Sequence, residues 1–233
     1  MPAQQLAQRL TDIRTALQSA SEGLYPPPRV IAVTKTRSAK EILPLAAMNQ
    51  VELGENRVQE ILEKWPELAE KFRVHLIGRL QTNKVKYIID KVCMIQSVDR
   101  LSLAEEIDRQ ARKHGLVMPV LVQVSPAGEE QKGGLPPQDV RAFLDTLRQM
   151  PGLSVRGLMA VMPLSQDEAY LSTLFCGMRR LFEQLRDENI PGIAMEELSM
   201  GMSGDYLLAA RHGATMVRIG SALMGPRDYL TKT

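Results

Sequence analysis

Short apolar runs alternate along this chain with longer segments in which apolar residues recur every three or four positions. After the proline-rich linker SEGLYPPP, eight such runs follow: Arg29 to Thr34, Val51 to Gly54, Val74 to Ile77, Cys93 to Gln96, Pro119 to Val124, Val155 to Met159, Glu197 to Ser199 and Met216 to Ile219. Short continuous apolar runs of this kind predict strands covered on both faces, as in a parallel sheet. The segments between them predict helices. Ser38 with Glu41, Ser102 with Glu105 and Ser165 with Glu168 each have the spacing of a capping box, and Gly115 and Gly213 follow helical patterns where a left-handed cap is wanted. Eight βα units predict an α/β protein formed as a single (β/α)8 TIM barrel, a fold of about 250 residues. An open doubly wound sheet is the alternative.

The chain has 233 residues, which leaves little for a second domain, so residues 1–233 read as one barrel. Ahead of the first strand, Leu6, Leu10, Ile13 and Leu17 recur at spacings of 4, 3 and 4, predicting an extra N-terminal amphipathic helix that docks on the barrel. Arg9, Asp12 and Arg14 interrupt that segment, so it does not read as a signal peptide. No window carries the roughly 18 apolar residues of a membrane span. The 29 basic and 27 acidic residues leave a net charge of +2, and aromatics make up only 4%, a poor basis for nucleic-acid binding. Cys93 and Cys176 are far apart and outside any metal-ligand spacing, which argues against a disulfide scaffold or zinc and for a cytoplasmic protein. His75, His114 and His212 likewise form no metal-binding pattern.

In a barrel, functional groups gather at the C-terminal ends of the strands. The first strand runs straight into Lys35. A free lysine has a pKa of about 10.4, and desolvation can lower it enough to make the amine a Schiff-base nucleophile; a lysine that merely reaches solvent is the equal alternative on position alone. The seventh strand is followed by LSMGMSGD, with Ser203 between Gly201 and Gly204, and the eighth by Gly220 and Ser221. Loops seven and eight are where barrels often bind phosphate. An amine opposite a phosphate cradle fits pyridoxal 5′-phosphate or a sugar phosphate. Arg218, inside the eighth strand, favours the first, since a guanidinium beside a pyridine nitrogen opposes its protonation; an internal salt bridge is the other reading of Arg218.

Longer motifs carry a family likeness. AVTKTR, GENRVQE, HLIGRLQTNK, GLMAVMP, LSMGMSGDYLLAARHGAT and VRIGSALMG, spread over nearly the whole chain, resemble the pyridoxal phosphate homeostasis protein family, also called the proline synthase co-transcribed family. The resemblance implies a barrel similar to the N-terminal domain of alanine racemases, with the cofactor held as an aldimine on Lys35. It also implies Arg218 at the pyridine nitrogen, Ser203, Gly220 and Ser221 near the phosphate, and Asn56 approaching the ring. Ser221 stands where many members have threonine, Ser125 where asparagine is common, and Arg37 where many have a second lysine. The implied function is a monomeric binding and carrier protein in vitamin B6 homeostasis that supplies apo forms of pyridoxal-phosphate enzymes. An amino acid racemase using the same linkage is the runner-up; it would need a second domain and a tyrosine base, and Tyr206 reads as a packing residue. A class I aldolase is a third reading. Arg179, Arg180 and RQARKHG read as solvated helix faces, and Lys84 and Lys86 as the start of a surface helix.

Overall fold

Eight parallel strands close on themselves in chain order, so the barrel is the observed architecture and the open sheet is excluded. The computed structural model describes residues 2–129 and 133–226; the single domain expected over 1–233 also takes in Met1, 130–132 and 227–233, which lie outside the described residues. The strands are β1 (Arg29–Val33), β2 (Glu52–Glu55), β3 (Arg73–Leu76), β4 (Met94–Val98), β5 (Met118–Val124), β6 (Leu153–Ala160), β7 (Ile193–Met202) and β8 (Met216–Ile219). Closure is made by β1 against β8, with Arg29 opposite Met216 and Ala32 opposite Ile219.

Helices cover the outside: α1 (Ala3–Ser21), α2 (Ala39–Ile42), α3 (Pro44–Ala47), α4 (Val58–Leu68), α5 (Leu101–Lys113), α6 (Val140–Leu147), α7 (Glu168–Asp187), α8 (Tyr206–Arg211) and α9 (Ser221–Met224). The stripe Leu6, Leu10, Ile13 and Leu17 is buried, and α1 lies against α8, α9 and α3, as its periodicity predicts. The main core lies between strands and helices, where residues such as Leu53, Leu76, Ile95 and Val217 meet Ile61, Ile107, Leu144 and Phe175. A smaller apolar cluster of Ile31, Met94, Leu121, Met159 and Met216 fills the barrel.

The structure keeps some of the helix-end signals and moves others. At Ser38 the backbone N–H donates to Glu41 Oε2 at 2.9 Å, completing that capping box. Gly115 and Gly213 adopt φ of +65° and +75° after α5 and α8. The other two boxes are corrected: α5 starts at Leu101, putting Ser102 inside its first turn, and α7 is capped by Asp167, whose Oδ1 accepts the Tyr170 N–H at 3.0 Å. Lys84 and Lys86 sit in a 3-10 turn over 82–87, both above the Tyr87 ring. Arg179 is more than a solvated residue, because it donates to Gly213 O at 3.1 Å and lies 4.6 Å from the Tyr25 ring centre.

Candidate functional site

Lys35 emerges two residues beyond β1, and both its neighbours are tied down by a buried ionic cluster. Lys64, on α4, donates to Thr34 O at 3.0 Å, to Glu55 Oε1 at 2.8 Å and to Glu60 Oε2 at 3.1 Å. The Thr34 hydroxyl donates to Glu55 Oε1 at 2.6 Å, and the Thr36 N–H to Glu60 Oε2 at 2.6 Å. Thr36 has φ +66°, a conformation costly for a β-branched residue and held here by its bond to Glu60. Burial pushes the Glu55 carboxyl above its ordinary range against the pull of Lys64 and Thr34. Burial acts the same way on Glu60, but the Thr36 N–H and Lys64 outweigh it and hold that carboxyl low. On the far side of the loop, Arg37 donates to Gly225 O at 2.9 Å and Pro226 O at 2.6 Å, joining the β1 loop to the end of α9.

Asn56 follows β2 directly. Its backbone crosses so close to Gly78 that a Cβ there would lie 2.4 Å from Asn56 O, so only glycine fits beneath it. The buried Asn56 Oδ1 has no hydrogen-bond partner among the described residues and is an acceptor in waiting.

Arg218 points into the barrel from β8 and is 3% exposed. Its Nη1 donates to Ser199 Oγ and its Nη2 to Ala160 O, both at 2.7 Å. Both acceptors are neutral. Complete burial depresses its pKa to about 10, with Asp205 opposing the fall, so the guanidinium stays charged at neutral pH.

Ser203 ties the last two strand ends together, its Oγ accepting N–H bonds from Gly220 at 3.1 Å and Ala222 at 3.3 Å. Gly201 has φ +92°, and a Cβ there would come within 2.5 Å of the Ala209 Cβ, so the tight approach of α8 to β7 demands glycine. Gly204 and Gly220 have a different use: a Cβ would meet nothing within 4 Å at the first and nothing nearer than 3.6 Å at the second. They keep space open.

These pieces converge. Lys35, Asn56, Ser203, Arg218, Gly220 and Ser221 line one cavity of about 380 Å³ at the C-terminal mouth, so all six residues singled out in the sequence are brought together. Val33, Ile77, Val161 and Met202 complete its walls. Sequence reading missed these apolar members, although each lies at or near a strand end. It also missed Lys64, Glu55 and Glu60, whose signal was the Glu60–Lys64 spacing of four. Tyr206 packs on the core instead of lining this cavity. Among the described residues no group of His, Cys, Asp and Glu could hold a metal ion.

An amine, a buried guanidinium and a hydroxyl-glycine cradle at one mouth of a (β/α)8 barrel define the class of the alanine racemase N-terminal domain, and that family matches residues 8–228. Among curated proteins, the chain is 43% identical to the pyridoxal phosphate homeostasis protein of Aquifex aeolicus over 76% of this chain and 77% of that one. It is 35% identical to the protein of the same name from Pasteurella multocida, over 97% of both. PipY of Synechococcus elongatus, solved with PLP bound, has a TM-score of 0.83 at 36% identity, covering 94% of this chain and 100% of that one. The chain belongs to the alanine racemase N-terminal domain family and, within it, to the pyridoxal phosphate homeostasis proteins.

Proposed function

We propose that the C-terminal mouth binds pyridoxal 5′-phosphate through Lys35, and that the chain holds and delivers this cofactor in vitamin B6 homeostasis, with apo forms of pyridoxal-phosphate enzymes as recipients. The single observation that carries the reading is the convergence of six residues from four separate segments on one cavity. When bound, pyridoxal phosphate supplies an aldehyde that condenses with primary amines and a ring that withdraws electrons.

The residues present fit that group. Lys35 offers the amine, on a loop whose flanking backbone is clamped by Lys64 and Glu60. Asn56 Oδ1, buried and unpartnered, suits the hydroxyl of the ring. The Ser203 hydroxyl, oriented by the N–H groups of Gly220 and Ala222, and the Ser221 hydroxyl suit a phosphate, with Gly204 and Gly220 leaving room for it. Arg218 suits the pyridine nitrogen. A permanent positive charge there opposes protonation of the nitrogen and so weakens the ring as an electron sink. That favours holding the aldehyde, or at most proton exchange at an α-carbon, over the fully stabilised carbanion of transamination.

The reading is tested by adding pyridoxal phosphate to the purified protein and to Lys35→Ala. The protein should turn yellow, and the variant should stay colourless while melting at the same temperature. A coloured variant would overturn the assignment of Lys35. Loaded protein mixed with an apo-enzyme should reconstitute it faster than an equal concentration of free cofactor; an equal or slower rate would count against delivery.

A further inference from the structure

The opposite, N-terminal mouth of the barrel holds a second polar cavity, of about 220 Å³, that shares no residue with the first. Arg29, Arg73, Arg156, His75, Cys93, Glu52 and Glu197 are among its lining residues. His75, on β3, is 2% exposed, and its Nε2 has no hydrogen-bond partner among the described residues. The nearest acceptor, Glu52 Oε1, lies at 3.6 Å, beyond hydrogen-bond range.

The proton on that nitrogen is fixed from inside the barrel. Arg218 can only donate, and it donates to Ser199 Oγ at 2.7 Å. The Ser199 hydroxyl donates onward to Gln96 Oε1 at 2.7 Å, which leaves the Gln96 amide nitrogen to face His75 Nδ1 at 3.1 Å. Neutral His75 therefore accepts at Nδ1 and carries its proton on Nε2; the cationic ring carries one there as well, with the Gln96 amide turned so that its oxygen meets the Nδ1–H. In either state a buried N–H points into the cavity with no acceptor at hydrogen-bond distance, Glu52 standing off at 3.6 Å and Cys93 beside the ring, an under-satisfied arrangement that a ligand oxygen relieves.

The surrounding charges define that ligand. Glu52 and Glu197 are both already engaged by Arg29, at 2.9 and 2.5 Å, and Glu197 also accepts from Thr215 Oγ1 at 2.7 Å. Arg156 pairs with Glu196 outside the cavity lining. Arg73 is exposed, and its charge acts on Glu52 from beyond salt-bridge distance. The cavity thus presents three guanidinium groups and an imidazole N–H around two carboxylates that share one close guanidinium, Arg29.

We propose that the N-terminal mouth is a binding site for a small oxyanion of the hydrogen-phosphate type. Its oxygens accept from His75 Nε2 and Arg73, and its own hydroxyl donates to Glu52. The site stands independently of the reading of the C-terminal mouth.

The test titrates protein labelled with ¹⁵N-histidine with inorganic phosphate at constant ionic strength and follows the His75 Nε2 resonance. A saturable shift in the millimolar range is expected. Arg73→Gln should weaken it about tenfold, the loss of one charge-assisted contact, with the His114 resonance reporting an intact fold. Arg156→Gln is a second variant expected to weaken it. No shift, an equal shift with chloride, or undiminished binding in Arg73→Gln would each overturn the proposal.

Discussion

Lys64 Nζ lies 3.0 Å from the carbonyl oxygen of Thr34, so a buried cation on α4 holds the residue just before Lys35. The same nitrogen reaches Glu55 and, through Glu60, the N–H of Thr36. The loop that carries the candidate anchor is thus stiffened on both sides by one side chain.

Replacing Lys64 by Ala leaves the Glu55 carboxylate buried without its cation. Loss of one partner of a buried pair costs about 3–5 kcal/mol, and urea denaturation of Lys64→Ala should show a loss of that order. Pyridoxal phosphate should also attach more slowly, because the Thr34–Thr36 backbone is released. Wild-type stability in this variant would mean that the cluster is not a structural clamp.

At Ser203, substitution by Ala removes the acceptor shared by Gly220 and Ala222. The expected loss is about 1 kcal/mol of stability together with roughly tenfold weaker retention of cofactor on dialysis, since one hydroxyl of the cradle is gone. Unchanged retention would place the phosphate elsewhere.

Arg218 governs the character of the bound ring if it faces the pyridine nitrogen. In Arg218→Gln the charge that opposes protonation is gone, so the ¹⁵N resonance of labelled cofactor should move toward the protonated value while Lys35 attachment persists. An unmoved resonance would put the guanidinium out of contact with the ring.

Stability should also depend on pH through His75. Burial alone would lower its pKa, but the neighbouring Cys93 and Glu52 outweigh burial and lift it from 6.5 to about 9. A folded-state value above the unfolded one stabilises the protein fully below pH 6.5, and that contribution is lost as the pH rises through 9. Its size is about 3 kcal/mol at most. Unfolding free energies should therefore decline between those limits in the wild type and flatten in His75→Gln. Parallel slopes in the two proteins would contradict the assignment.

Much of this architecture was legible because β-branched runs such as Val30–Val33 and Val120–Val124 are buried on both faces and therefore leave an unbroken apolar signature. The sequence pattern gives the seventh strand three residues where β7 has ten, because Glu196 and Gly201 interrupt the apolar pattern while still lying within the strand. Lys35, Ser203, Gly220 and Ser221 were visible because a barrel assigns function to strand ends. Lys64 was not: a lysine in a helical pattern reads as solvated, and its burial follows only once β2 carries Glu55 beneath α4. The line from Arg218 through Ser199 and Gln96 to His75 joins four strands, and nothing in the order of residues foretells a contact made across the inside of a closed barrel.

Borohydride reduction of the cofactor-loaded protein, followed by peptide mapping, tests the central claim most directly. One reduced pyridoxyl group per chain on Lys35 is the predicted result. A reduced group on any other lysine, or none at all, would contradict it.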